Sequence, residues 1–489
     1  MAKEVISLDV LTERPVVRND EASEQDIVIQ VSSRQESEDK QEDQKFLNLC
    51  IVIDRSGSMG GEKIETAKKS CIDIFNRLRT GDLFTVVVFD DQAQIVVNPQ
   101  TPKSEVVRRI ENVVSGGQTN LSLGWYLGLQ ELQSYKTERY VNRLILLSDG
   151  QANQGETKKN VLAKESARFR ELGITTSTIG IGNDFAEDIL EVLASESGGR
   201  FWYIQDSKIE DIINEEFKGS LSVIVEKPRV ELSIPQGIKI AKQLNDIRII
   251  SGKYRIRPIT SDYIFNFALR LEFDPSLLGG INPTLKIALY DGDDLINEKE
   301  KEILLRPLQE YVTSEENPLV KSVVQQYEIS ASDEKMIEKL DKRDISGMGE
   351  MMAGQRGDIL QAQKMLQGKI KTGQQVDEFL RELSHMDIKI LEDQNMIIII
   401  QLLQWVQNRP LRGVVGFQVD NLLMRLRKTL MYRMHGEKGR HYEHPHDRSV
   451  HEDLLNDALG LANDLVKMFP DQSDLIEIRR KIDEQLARY

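Results

Sequence analysis

Between residues 44 and 218 the chain alternates short, largely apolar runs with segments of helical periodicity. The runs lie at 50–53, 84–89, 144–147, 174–180 and 200–204. Runs of this kind are typical of strands covered on both faces. From Ile64 to Leu78 the apolar residues lie three and four positions apart, which predicts an amphipathic helix. The alternation predicts an α/β fold with a doubly wound, mostly parallel sheet.

On both sides of this segment the apolar residues recur at every second position. The alternation is seen at 6–10, 27–31, 230–234, 265–273 and 285–289. It is typical of half-buried strands. Because a lone two-stranded hairpin is only marginally stable, we predict that residues 1–35 complete a β-sandwich with residues 220–307. The domain at 44–218 is then inserted between the two parts, and the charged stretch from Ser32 to Asp43 is predicted to be a solvated linker.

From about residue 325 the chain consists of helix-forming segments. We predict a helical region at 325–434 and a C-terminal helical hairpin at 450–489. The stretch from Ser346 to Gly357 is rich in glycine and methionine, which favours a flexible joint, with a Met-rich contact surface as the alternative. Five histidines between His435 and His451 predict a solvated, pH-sensitive loop, with a zinc site as the alternative.

Composition limits the function classes. The chain has 489 residues and a net charge of −15, which argues against a general nucleic-acid binder or a protein of anionic membrane surfaces. Cys50 and Cys71 lie in predicted core positions and provide no disulfide framework. The first residues contain no apolar h-region, so we expect no signal peptide. The longest apolar run, 396–406, is too short to span a membrane. We expect a cytoplasmic protein without membrane insertion.

Polar side chains with oxygen donors follow two of the predicted strands. Asp54, Ser56 and Ser58 come directly after the run at 50–53, and Asp149 follows the run at 144–147. Thr119 lies in a glycine-led loop that opens a helix. The carboxyl ends of strands are where open α/β sheets bind ligands. Carboxylate and hydroxyl oxygens suit Mg²⁺ better than zinc or copper.

In order and context these three pieces resemble the von Willebrand factor A (VWA) family and its metal-ion-dependent adhesion site. All five positions of that motif are present, at Asp54, Ser56, Ser58, Thr119 and Asp149. The resemblance covers residues 44–218 and is to the bacterial intracellular type. It implies one Mg²⁺ held directly by Ser56 and Ser58, and by Thr119 directly or through water. Asp54 and Asp149 would act mainly through water, and Mn²⁺ and Ca²⁺ are alternatives.

The resemblance implies a binding module rather than an enzyme. A partner protein would supply an Asp or Glu to the metal, and the chain would serve as an adaptor or scaffold. In bacteria such domains accompany AAA+ ATPases, kinases or phosphatases in stress, defence or ATPase-linked systems. Two alternatives stay open. One is a Mg²⁺-dependent phosphate-ester hydrolase that also uses Asp90 and Asp91, and the other is a structural subunit with a stabilising metal. The oligomeric state is not predicted.

Overall fold

A computed structural model provides the fold. It describes residues 6–34, 45–152, 154–181, 185–204, 209–245, 247–250, 252–261, 264–370, 376–407, 409, 414–437 and 447–488. The first strands are β1 (Ile6–Thr12), β2 (Val16–Arg18) and β3 (Ser23–Ser33). The predicted linker from Ser32 to Asp43 is wrong at its start, because Ser32 and Ser33 pair with neighbouring strands in β3. Residues 35–43 of that linker lie outside the described residues.

An α/β domain follows these strands. Its strands are β4 (Phe46–Asp54), β5 (Leu83–Phe89), β6 (Ala93–Val97), β7 (Tyr140–Ser148), β8 (Ile174–Ile181) and β9 (Phe201–Ile204). Its helices are α1 (Glu62–Arg77), α2 (Lys103–Glu111), α3 (Leu121–Ser134), α4 (Lys159–Glu171), α5 (Glu187–Ser197) and α6 (Ile209–Leu221). The strand order is β6-β5-β4-β7-β8-β9, and β6 alone runs antiparallel to its neighbour. The predicted mostly parallel sheet is therefore confirmed.

The position of β4 in this sheet determines where a ligand can bind. From β4 the chain first passes to β5 on one side, and later to β7 on the other side. At such a reversal of strand order the connecting loops separate and leave a crevice at the carboxyl ends of the strands. The crevice lies between the ends of β4 and β7, where Asp54 and Asp149 are placed.

The chain then builds a second β-rich unit. Its strands are β10 (Val223–Val225), β11 (Pro228–Ser233), β12 (Ile238–Gln243), β13 (Arg248–Ile250), β14 (Lys253–Arg255), β15 (Ile259–Thr260), β16 (Ile264–Phe273), β17 (Thr284–Asp291), β18 (Asp294–Glu302) and β19 (Leu304–Arg306), and its short helices are α7 (Pro275–Leu278) and α8 (Leu308–Thr313). One sheet has the order β1-β3-β16-β12 and the other β13-β14-β11-β17-β18.

These two sheets share one apolar core. Ile29 is opposite Phe267 in the first sheet, and Leu289 of the second sheet lies in the same cluster. Apolar side chains at alternate positions point to one face of a strand, which explains the period of two in the sequence. The N-terminal strands β1 and β3 are thus part of the sheet that contains β16, and the α/β domain lies between them in the sequence.

The last third of the described chain is helical. Its helices are α9 (Pro318–Asp341), α10 (Met348–Ile370), α11 (Val376–Gln407), α12 (Val414–Glu437), α13 (Asp447–Met468) and α14 (Ser473–Leu486). The helical region begins before the predicted residue 325. Leu422 of α12, Leu454 of α13 and Leu475 of α14 belong to one apolar core, so the C-terminal hairpin packs on this chain. No helix among the described residues is long and apolar enough to cross a membrane.

The predicted flexible joint at 346–357 is wrong. Most of that stretch lies in helix α10, and Met348 and Met352 are fully buried in the helical core. Glycine lowers helix propensity by about 1 kcal/mol per residue, which is why the sequence pattern favoured a joint. Burial of two methionine side chains contributes more than this local preference.

Candidate metal centre

Strand β4 carries the first carboxylate to the edge of the sheet. Its residues from Leu47 to Ile53 are buried, and the strand ends at Asp54, which is fully buried. One oxygen of Asp54, Oδ1, accepts a hydrogen bond from the Ser56 amide at 2.8 Å. The other, Oδ2, accepts one from the Ser148 hydroxyl at 2.6 Å. Asp54 therefore closes the turn after β4 and joins the ends of β4 and β7.

The turn after β4 places two hydroxyl groups beside the second carboxylate. The Oγ atoms of Ser56 and Ser58 are 3.2 Å apart, and Ser58 Oγ donates to Asp149 Oδ1 at 2.6 Å. Ser58 lies in a short 3-10 turn whose last residue, Met59, is buried in the apolar core and anchors the turn. The side chain of Ser56 is buried, whereas residue Ser58 is exposed to solvent.

A glycine loop brings the third hydroxyl to the same place. The Gly116 amide donates to the Arg55 carbonyl at 2.7 Å, which docks the loop onto the turn. Gly117 has φ +79°, and a Cβ there would lie 2.5 Å from Asp91 Oδ1, so the loop requires glycine. A Cβ built on Gly150 would lie 2.8 Å from Thr119 Oγ1 and 3.6 Å from Ser58 Oγ. The Thr119 and Ser58 hydroxyls therefore flank one point beside Gly150.

The charges of this cluster are only partly balanced. Burial raises the pKa of Asp54 to about 6, and the charge of Asp149 adds to this effect, while hydrogen bonds from Ser148 and Ser56 oppose it. Lys63 of α1 places its ammonium 2.7 Å from Asp149 Oδ2. Sequence reasoning missed Lys63, although its place in the first turn of the helix after the motif was a usable signal. Sequence reasoning also missed Ser148, which directly precedes Asp149.

All five predicted site residues thus meet at one edge of the sheet. They provide carboxylate and hydroxyl oxygens, the donor set that suits a hard divalent cation such as Mg²⁺. If Asp54 and Asp149 are both ionised, their two negative charges exceed the single positive charge of Lys63. A bound cation would stabilise this negatively charged cluster. Among the described residues no group of three or more His, Cys, Asp and Glu side chains is placed to hold a metal. A site here depends on the hydroxyls.

The neighbouring strand end does not extend this cluster. Asp90 Oδ1 accepts a hydrogen bond from the Gln92 amide at 2.8 Å, and Asp90 Oδ2 lies 2.9 Å from Arg55 Nε. Both oxygens are therefore engaged in a turn and an ion pair. This arrangement disfavours Asp90 as a ligand of a second catalytic metal.

The histidine-rich stretch differs from the predicted solvated loop at the residue that can be described. His451 is in helix α13 and is 4% exposed. Burial lowers its pKa to about 3, and the charge of Arg433 acts in the same direction. His441, His444 and His446 lie outside the described residues, as does the side chain of His435.

The helical region contacts the α/β domain beside the cluster. Arg427 of α12 forms an ion pair with Glu187 at the start of α5, and Lys428 Nζ lies 4.4 Å from the centre of the Phe185 ring. The adjacent Ala186 amide donates to the Gly150 carbonyl at 3.2 Å. Because Ser58 stays exposed, the described helices leave that side of the cluster open to solvent.

Comparison with known proteins agrees with this architecture. Residues 48–215 match the family model of the von Willebrand factor type A domain. This segment is a VWA domain. VWA domains are known for protein–protein interaction and metal-dependent adhesion, and they commonly bind a divalent metal.

Similar proteins include bacterial and archaeal ones. The uncharacterized protein sll0103 of Synechocystis is 33% identical over 162 residues, which cover 33% of this chain and 38% of that protein. The chain spans less than two fifths of the length of the first curated relatives that it matches.

Two solved structures resemble more of the chain than its VWA domain. A von Willebrand factor type A protein from Catenulispora acidiphila has a TM-score of 0.58 at 15% identity, covering 73% of this chain and 87% of that one. The ArnB paralog VWA2 from Sulfolobus acidocaldarius has a TM-score of 0.52 at 16% identity, covering 80% of this chain and 98% of that one. The likeness of fold therefore extends to the regions that flank the VWA domain.

Proposed function

We propose that this chain is a Mg²⁺-dependent adaptor whose metal centre binds a carboxylate of a partner protein. The observation that carries the proposal is the cluster in which Ser58 Oγ bonds Asp149 and adjoins Ser56 Oγ. In this proposal the Ser56, Ser58 and Thr119 hydroxyls bind the cation. Asp54 and Asp149 act mainly through water and hydrogen bonds, by orienting the hydroxyls and supplying negative charge.

The exposed side of the cluster accounts for binding of a partner. Ser58 is exposed while Asp54 and Asp149 are buried. The chain therefore presents few of its own charges to an incoming group. A bound cation would supply a local positive charge there, and an Asp or Glu of a partner is the protein group that matches it.

We place this adaptor in the cytoplasm of a bacterium, in a stress, defence or ATPase-linked system. The proposed partners are a AAA+ ATPase, a kinase or a phosphatase. The sequence resemblance to VWA proteins of the bacterial intracellular type supports this setting. The match to the Synechocystis protein sll0103 supports only its bacterial part. Mn²⁺ and Ca²⁺ are alternative occupants of the same oxygen donors.

Affinity capture from native cells tests the proposal. We expect a partner that the chain retains in Mg²⁺ and releases in EDTA, and that Asp54→Ala fails to retain. The matched control is Asp211→Ala, which removes an exposed carboxylate from helix α6. Partners that are retained equally by wild type in Mg²⁺, by wild type in EDTA and by Asp54→Ala would contradict a metal-bridged adaptor.

A further inference from the structure

Toward the amino ends of β7 and β8, away from the metal centre, the VWA sheet contains a polar patch within an apolar layer. On the face of the sheet that packs against α6, Ile145 and Leu147 of β7 and Ile179 of β8 are buried in the apolar core. Side chains two positions apart share a face of a strand, so Arg143 and Ser177 occupy the same face nearer the amino ends. Arg143 lies six residues before Asp149, so it is about 20 Å from the metal centre at about 3.3 Å per residue along β7.

A cavity of about 60 Å³ lies over these polar residues. The sheet, the turn at Gly199, helix α6 and the segment 257–260 of the β-sandwich surround it. At about 10–15 Å³ for each water, the volume holds about four to six water molecules. A volume of this size fits a small ion.

Arg143 is the group that makes this cavity unusual. It is 8% exposed, and its Nη1 donates to the Asn142 carbonyl at 3.1 Å. Within the described part of the chain it forms no ion pair, although a buried charge without one is costly. Burial lowers the pKa of Arg143 to about 10, against the opposing charges of Glu226 and Glu216. The remaining guanidinium donors can thus serve a ligand.

The rest of the lining is electropositive and has a hydroxyl without a partner. Arg200 and Arg257 also line the cavity, and Glu216 is the one carboxylate among its described lining residues. The Glu216 carboxylate accepts a hydrogen bond from Trp202 Nε1 at 2.8 Å and lies 3.8 Å from Arg200 Nε. The Thr175 hydroxyl forms no hydrogen bond with any described residue.

We infer that this cavity binds a small oxyanion, such as phosphate, sulfate or a short carboxylate, through the Arg143 guanidinium and the Thr175 hydroxyl. Guanidinium groups bind the oxygens of such ions through paired hydrogen bonds. Because Arg257 belongs to the sandwich and Arg143 to the VWA domain, the bound ion would connect the two units. The site is independent of the proposed metal-dependent function.

Isothermal titration of the full chain with inorganic phosphate in EDTA tests this inference, with sulfate and acetate in parallel arms at matched ionic strength. EDTA removes divalent metals, so phosphate cannot bind through the metal centre. We expect at least one of the three ions to bind saturably, with one ion per chain. The ion that binds most tightly indicates which ligand shape fits the cavity. Arg143→Gln should weaken that binding about tenfold to a hundredfold, as for loss of a charged hydrogen bond.

Two further variants keep the test decisive. Arg168→Gln removes an exposed guanidinium on α4 and should leave binding unchanged. Thr175→Val keeps the side-chain volume and should weaken binding several-fold, so it decides the question if Arg143→Gln does not fold. Absence of saturable binding to wild type, or equal affinities in wild type, Arg143→Gln and Thr175→Val, would overturn the inference.

Discussion

Two pairs of buried aspartates lie in different parts of this chain and differ in their surroundings. Asp54 and Asp149 are at the edge of the VWA sheet, whereas Asp333 and Asp393 lie between helices α9, α11 and α12. Burial raises the pKa of Asp54 to about 6, and it raises that of Asp393 to about 6 as well. Burial and a raised pKa therefore do not distinguish the two clusters.

The two pairs of aspartates differ in the groups that contact their carboxylates. In the helical cluster, Arg433 donates to Asp333 at 2.7 and 2.5 Å and to Asp393 at 2.5 Å. All three residues are buried, so the guanidinium occupies the position that a ligand would need. At the sheet edge the carboxylates meet hydroxyl groups, and Ser58 is exposed. Accessible oxygen donors, rather than buried charges, identify the candidate metal site.

The largest predicted effect comes from removing the Arg433 guanidinium from the helical cluster. Arg433→Met removes the guanidinium that both buried carboxylates accept hydrogen bonds from and leaves Lys389 as the nearby cation. This loss costs about 3–5 kcal/mol of unfolding free energy. Hydrogen exchange followed by mass spectrometry would show this as lost protection in α9, α11 and α12. Arg480→Met, at an exposed ion pair on α14, should change protection little. Unchanged protection in Arg433→Met would mean that this guanidinium does not hold the helices together.

A second prediction tests whether the helical cluster keeps His451 neutral. The folded-state pKa of His451 is lowered to about 3, with Glu392 Oε1 3.5 Å from its Nε2 and Arg433 opposing its protonation. The unfolded chain therefore binds the proton first, and His451 destabilises the fold as pH falls below about 6.5. Between pH 7 and pH 5, wild type should lose about 2 kcal/mol more unfolding free energy than His451→Gln.

Urea unfolding followed by circular dichroism at each pH checks this difference. Comparing the two proteins cancels the opposite contribution of Asp393. The pKa of that group is raised, so its contribution to stability increases as pH falls through about 6. Parallel pH profiles for wild type and His451→Gln would show that His451 binds a proton as readily in the folded protein as in the unfolded chain.

The smallest predicted effect concerns the sheet-edge cluster. The Lys63 ammonium lies 2.7 Å from Asp149 Oδ2 and competes with a cation for that charge. Lys63→Met should therefore raise the affinity for Mn²⁺ about threefold to tenfold, since one partly exposed ion pair is worth about 1 kcal/mol. Lys69→Met on the outer side of α1 is the matched control and should change nothing. Weaker binding in Lys63→Met would mean that Lys63 supports the site.

The sequence predicted those features that have a local signal. The run at 50–53 predicted a buried strand, and the motif from Asp54 to Ser58, with Thr119 and Asp149, predicted which side chains form the cluster. Alternation at 265–273 predicted the sandwich strand β16. In each case the period of the apolar residues or a short motif reports directly on one element.

Features that depend on distant residues were not predictable. Arg433 is separated from Asp333 by 100 positions and from Asp393 by 40, so no local pattern marks their ion pairs. His451 was assigned to a solvated loop because its neighbours in the sequence are polar, whereas tertiary packing buries it. The cavity at Arg143 likewise forms only when the sandwich covers the edge of the VWA sheet.

A titration of the purified chain with Mn²⁺, followed by electron paramagnetic resonance and by competition with Mg²⁺, tests the central claim most directly. We expect one Mn²⁺ site per chain that Mg²⁺ displaces, that Asp54→Ala abolishes and that Asp211→Ala, at an exposed position of α6, retains. At a free metal concentration of 100 times the dissociation constant, the bound ion should stabilise wild type by about 2.7 kcal/mol. Absence of a displaceable site in wild type, or equal binding by Asp54→Ala, would contradict the assignment of these five residues to a metal centre.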